Sequence, residues 1–358
     1  MEHQAELVAT LQLQGVGCSA LGSPFYRALC DELVLDVERD SPAAQVLAPF
    51  AAAPFEAAYV LRLLAGVHRL VLGGHAPALA QHYPSVGGDG DAQRAMTVMR
   101  ELLAEPPGEV LDALSRPPQT NEVGRSVALA SGLLAVASQV GLPLRIREVG
   151  ASAGLNLRLD SYWYEQGGRG WGDEASPVRF VDLWEDRAPP FEHGADIVDR
   201  RGCDRNPIDV TTDDGALTLL SYVWPQPAER FARARAAITM AHANPAVVDR
   251  ADIDAWLPQQ LAEPRPGTAV VVFHSVVWQY LDDPTRAAMH RELQAAGRDA
   301  SRDAPLAWLR LEPRPKTYAP AELRLTVWDG GAEDPPERLL ATTGFHGGPI
   351  AWLPDGRG

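Results

Sequence analysis

The stretch whose reading decides the fold is Arg147–Asp160, REVGASAGLNLRLD, and it admits two readings. As G-x-S-x-G, Gly150 to Gly154 is a nucleophile elbow, a sharp strand-to-helix turn that presents Ser152 for hydrolysis. As E-x-G-x-x-x-G, Glu148, Gly150 and Gly154 belong to a glycine-rich loop that lets the backbone approach a nucleotide-like cofactor. The first reading requires several strands and an oxyanion loop earlier in the chain. The second requires strands and helices that alternate after it.

Upstream, the sequence reads as helix. From Ser23 to about Val140 apolar residues recur at helical spacing: SPFYRALCDELVLDVERD opens on a Ser23 cap and Pro24, and PFEAAYVLRLLAGVHRLVLGG stops at Gly73-Gly74. A glycine-rich loop, YPSVGGDGD, and a proline turn, SRPPQT, separate the helices, and a helix over 121–140 capped by Thr120 leads into PLRIREVG. An all-helical N-terminal region over 1–140 follows, with no strand ahead of residue 144. A hydrolase sheet built around Ser152 would lack its first half. His346 and Asp329 could complete a triad on paper, and the Ser152 hydrolase is kept as the weaker alternative.

Downstream, strands are expected at 144–149, 195–201, 246–250, 268–273, 306–311, 323–328 and 339–345. Helical segments lie between most of them: DDGALTLLSYVW, PAERFARARAAITMAHA, DIDAWLPQQLA and DPTRAAMHRELQAAG. Such alternation implies an α/β domain over 141–358 with a doubly wound, mostly parallel seven-stranded sheet. Only DGGAEDPPER joins the last two strands, which predicts a C-terminal antiparallel hairpin. This pattern resembles the class I, Rossmann-like methyltransferase fold, which is built around S-adenosylmethionine.

Composition narrows the function. The 358 residues are 46% hydrophobic and 22% charged, enough for a large core and a second region. No run nears the ~20 uninterrupted apolar residues of a membrane span, and the N-terminus has neither a basic start nor a signal-like apolar run, so a cytoplasmic protein without a membrane partner is expected. A formal charge of -15 repels a phosphate backbone, which argues against nucleic acid. Cys18, Cys30 and Cys203 are scattered and odd in number, suggesting reduced thiols. His68, His75 and His82 recur every seven residues, but Gly73, Gly74 and Pro77 break the helix that would align them, so no metal site is read there. Lys316 is the only lysine, which leaves little room for Schiff-base chemistry.

The cofactor reading accounts for more residues. Glu148 is a charge at the end of an apolar strand, costly to bury unless a ligand hydroxyl or backbone amides meet it. Gly150 and Gly154 permit close approach, a helix beginning near Ser152 would aim amides at a ligand, and Asn156 follows. Ser152 occupies a place where the common pattern has a further glycine. In ADIVDRRGCDRNPIDV an acid after the strand, Asp204, could take both ribose hydroxyls, with Asp199 and Asp209 as rivals. Glu148 and Asp204 are 56 positions apart (204 − 148), against the ~20 expected after a glycine fingerprint. The excess falls in an aromatic, glycine-rich insertion at about 160–195 that could form a lid or hairpin. Asp252, in AVVDRADIDAW, is a candidate for the adenine amino group or a helix cap. In VVVFHSVVWQYL, His274 and Ser275 would face the transferring methyl group, His274 as a base. A core histidine bonded to backbone is the competing reading.

SPFYRAL, HYPSVGG, QTNEVGR, EVGASAGLNL, RRGCDRNPID, YVWPQPAERFARARAA and VVVFHSVVWQYL occur in this order in the domain-of-unknown-function family numbered 2332, which the chain resembles over nearly its whole length. The resemblance implies a single conserved unit and brings no established activity. Its QTNEVGR pattern, 119–125 here, begins the helix that feeds the first strand. In methyltransferase-like folds that position lies beside the cofactor's methionine end, so Asn121, Glu122 and Arg125 are expected to line the pocket. The VWPQP segment departs from relatives at Gln226-Pro227, so no catalysis is assigned there. The expectation is an S-adenosylmethionine-dependent methyltransferase acting on a small molecule or peptide, with the helical region and the insertion closing over the substrate. The rival is a non-catalytic cofactor-binding or scaffold protein on the same fold.

Overall fold

Strands covered on both faces of a parallel sheet read as continuous apolar runs. Ala269–Ser275, AVVVFHS, is such a run and is buried at every position. The computed structural model of the protein describes residues 2–39, 41–262, 264–314 and 320–353; Lys316 lies outside them.

In chain order the helices are α1 (Glu2–Ala20), α2 (Pro24–Glu38), α3 (Pro42–Leu47), α4 (Tyr59–Leu72), α5 (Pro77–Ala80), α6 (Ala92–Ala104), α7 (Gly108–Ser115) and α8 (Ser126–Val140). Then come β1 (Leu144–Val149), three short strands β2 (Trp163–Gln166), β3 (Arg169–Gly172) and β4 (Arg179–Val181), and β5 (Ile197–Asp204). Helices α9 (Asp213–Ser221) and α10 (Ala228–Ala243) lead to β6 (Val248–Arg250), α11 (Ile253–Leu261), β7 (Ala269–Ser275), α12 (Asp283–Arg298) and β8 (Leu306–Pro313). The described chain ends with β9 (Ala321–Trp328), β10 (Arg338–Thr343) and β11 (Ile350–Trp352).

Two compact units result: one of Met1–Thr120 with Thr212–Arg235, the other of Asn121–Thr211 with Ala236–Gly358. The first is helical, with a core that includes Leu11, Leu29, Leu33, Leu63, Met96 and Met99. Each such fully buried side chain contributes about 1.5–3 kcal/mol by leaving water. In this unit the three heptad-spaced histidines part company. His68 is buried between the Ser221 carbonyl (3.1 Å) and the Ser85 hydroxyl (2.7 Å), His75 faces Glu109 at 3.7 Å and His82 meets Asp89 at 2.9 Å.

The second unit carries a sheet of order β11-β10-β9-β8-β7-β1-β5-β6. Pairs from β6 to β8 are parallel and those from β8 to β11 antiparallel, so the expected hairpin (β9–β10) sits within an antiparallel edge. The sheet has eight strands where seven are expected, because β11 is three residues long and too short to show a period. Helix α8 packs on β8, β9 and β10, where Gly132 makes room for Leu309, while α11 and α12 cover the other face. The apolar window Val123–Val140 is 72% buried, the mark of a core helix. Inside the 160–195 insertion, β2 and β3 form a hairpin turned by Gly167 and Gly168, both at positive φ, with β4 parallel to β2.

Candidate functional site

The sheet places β5 and β6 on one side of β1 and β7 and β8 on the other, so the strand order reverses between β1 and β7. The loop after β1 is Gly150–Leu155, and three of its residues have left-handed backbones: Gly150 (φ 69), Ser152 (φ 51) and Gly154 (φ 70). A chain alternating in this way cannot be an α-helix. The helix expected near Ser152 is therefore absent, and Asn156–Ser161 is a 3-10 turn instead. That correction removes both the helix a nucleophile elbow needs and the amides expected to point at a ligand.

Hydrogen bonds hold the loop. Ala151 N–H donates to the Cys203 carbonyl (2.9 Å), Ser152 N–H to Asp204 Oδ2 (2.9 Å) and Leu155 N–H to Asn121 Oδ1 (2.8 Å). The glycines are also packing glycines: a Cβ at Gly150 would strike Val277, and one at Gly154 would strike Val248.

Glu148 pairs with Gly202 and Phe273 in the ladders and is 1% exposed. Burial, with Asp204 nearby, pushes its carboxyl well above the usual carboxylate range; Asn156 and Arg125 offset part of this. Yet among the described residues Glu148 Oε2 and both side-chain polar atoms of Asn156 lack a well-formed hydrogen bond. Arg125 Nε donates to the Phe345 carbonyl (3.0 Å) and its Nη1 to the Ser275 carbonyl (3.2 Å). Glu122 Oε1 accepts the Gly124 N–H (3.0 Å), which starts the helical path at Val123 and not at Asn121. Asn121 thus ties to the loop after β1 and Arg125 to the end of β7 at Ser275, while the bond from Glu122 to Gly124 is local.

Of the three acids considered for a ribose, Asp204 is the one bonded to this loop. Asp199 lies at the Arg145 register and is bound by Arg145 and Arg147, while Asp209 accepts the Thr211 N–H and hydroxyl in a local turn. Asp252 stands at the N-cap position of α11 without a side-chain cap bond and pairs with Arg205 at 2.6 Å.

A family model described as "Uncharacterized protein conserved in bacteria (DUF2332)" matches residues 8–352. The chain belongs to this family. No curated protein and no solved structure matches it.

In this DUF2332 chain His274 is placed differently from expectation. Successive strand residues alternate faces, and Phe273 shares the Glu148 register, so His274 falls on the opposite face, among Trp308, Trp278 and α12. The Trp308 indole N–H donates to His274 Nε2 (3.2 Å), so Nδ1 carries the proton and donates to Glu312 Oε1 (2.6 Å). Neither nitrogen is left to serve as a base. Glu312 is the residue that sequence reasoning missed. It accepts from His274, from Val277 N–H (3.0 Å) and from Trp278 N–H (3.3 Å), fixing a loop in which Val276, β-branched, has φ 55. Its signal was the one that exposed Glu148: an acid ending a buried apolar strand, here LAWLRLEP.

Proposed function

We propose that the chain is an S-adenosylmethionine-dependent methyltransferase acting on a small molecule or a peptide. The observation that carries this reading is the pair of buried, incompletely bonded groups Glu148 and Asn156, beside Asp204 at the carboxyl end of β1. An unsatisfied buried polar atom costs about 1–3 kcal/mol, which a ligand bearing hydroxyl and ammonium groups would relieve. Asp204 holds one amide on each oxygen and keeps acceptor capacity for a ribose diol. The strand order supports a Rossmann-like, doubly wound reading, in which ligands sit where the order reverses.

Glu148, Asn156 and Asp204 would hold the cofactor, with Asn121 and Arg125 keeping the surrounding loops in place. The cofactor supplies a methyl group on a sulfonium that is its own leaving group. What remains for the chain is to orient the acceptor and exclude water. With His274 committed to Glu312 and Trp308, an acceptor whose attacking atom needs no base fits best.

A second reading, binding without transfer, is favoured by Val277 and Val248, which fill the space beside the two glycines. The test is photocrosslinking with methyl-tritiated S-adenosylmethionine, followed by peptide mapping. Label in peptides containing 148–156 or 204–206 supports the site, and a labelled product formed from an added acceptor separates transfer from binding. A folded protein that takes no label overturns both readings.

A further inference from the structure

A central strand covered on both faces is a costly place for guanidinium groups. Arg145 and Arg147 nonetheless stand two residues apart on one face of β1, 5% and 3% exposed. This is the face opposite Glu148, covered by α11. Among the described residues Asp199 is the carboxylate that answers both, accepting from Arg147 Nη2 at 2.5 Å and Arg145 Nε at 3.3 Å, while Arg147 Nη1 donates to the Ile146 carbonyl at 2.9 Å. Arg145 Nη1 and Arg147 Nε have no hydrogen-bond partner among the described residues. Burial, with Arg147 and Arg265 nearby, holds the Arg145 guanidinium below its ordinary value. Beside them, Asp249 is engaged through both oxygens by Arg201 (2.6 and 2.8 Å) and takes the Trp256 indole N–H (2.7 Å).

These residues, with Arg265, Ala255 and Gln259, line a cavity of ≈ 900 Å³. Its described lining holds the guanidiniums of Arg145, Arg147, Arg201 and Arg265 against the carboxylates of Asp199 and Asp249. The local excess is two positive charges, in a chain whose formal net charge is -15. Such a reversal of sign concentrates anions.

We propose that this cavity binds a small dianion, an organic phosphate or a dicarboxylate. Two negative charges balance the excess, guanidinium forks match the paired oxygens of either group, and the volume suits a metabolite. The site is separate from the one around Glu148, since the two lie on opposite faces of β1.

The test is calorimetric titration of the full chain with inorganic phosphate, glycerol 3-phosphate and malonate. It is repeated with Arg265→Gln and Ala255→Phe, two substitutions at exposed positions whose folding is checked by circular dichroism. Wild type is expected to bind at least one probe, Arg265→Gln to weaken it on the order of tenfold, and Ala255→Phe to weaken it as well by crowding the cavity wall. Binding of the phosphates alone, or of malonate alone, identifies which acid group the site takes. No binding of any probe by folded wild type, or wild-type binding in both variants, overturns the proposal.

Discussion

Asp204 Oδ2 accepts the Ser152 backbone N–H at 2.9 Å, and its Oδ1 accepts that of Asn206 at 2.8 Å. One carboxylate thereby closes the loop after β1 onto the loop after β5 and holds Ser152 in a left-handed conformation that serine resists. Asp204→Ala should therefore destabilise the fold by about 1.5–3 kcal/mol, and Asp204→Asn by less because one acceptor oxygen remains. Urea unfolding measures both; an alanine variant as stable as wild type would mean that the loop is held elsewhere.

Gly150 and Gly167 separate backbone strain from crowding. Both have positive φ, but a Cβ at Gly150 meets Val277 whereas one at Gly167 meets nothing within 4 Å. Gly167→Ala should cost about 1 kcal/mol and Gly150→Ala about 1–3 kcal/mol more. Equal shifts in thermal midpoint would remove Val277 from the account of this loop.

Glu148 makes stability depend on pH in a defined direction. Its folded pKa is raised, so above the ordinary glutamate value of 4.5 the unfolded chain releases a proton that the folded chain retains. The contribution is present below that value and is lost as pH rises toward the folded pKa. Glu148→Gln does not titrate, so its stability relative to wild type should improve from pH 5 to pH 8. A constant difference in melting temperature across that range would show that the Glu148 carboxyl is not held protonated.

Glu312→Ala should leave the His274 Nδ1–H and two backbone amides without their acceptor, at a cost on the order of 3 kcal/mol or more. The loop carrying Val276 should also lose amide protection in hydrogen exchange. If Glu312→Ala kept full stability, the role of His274 as part of the packed core would have to be abandoned.

Much of this architecture is legible in the residues themselves. PLRIREVG announces β1, and the helical periods of 213–224, 227–243, 252–262 and 283–297 place α9 to α12 within a few residues. Elements of three or four residues, such as β4 and β11, are too short to carry a period and emerge only through pairing. Face is harder to read than strand. His274 lies on the strand anticipated for it, but a one-residue step sends it away from Glu148, and only the register reveals that. Arg145 and Arg147 carry a signal of their own: two charges at i and i+2 of a strand flanked by other strands share one face of a covered sheet and need an acidic partner or a ligand there. The loop at Ser152 was misread because its glycine spacing suits either a helix start or a tight turn, and the backbone dihedrals decide between them.

The central claim is a cofactor site around Glu148, Asn156 and Asp204, and calorimetric titration with S-adenosylmethionine and S-adenosylhomocysteine addresses it most directly. One site per chain is expected, weakened at least tenfold in folded Glu148→Ala and Asp204→Asn variants. Absence of binding by folded wild type, or binding unchanged in both variants, would contradict it.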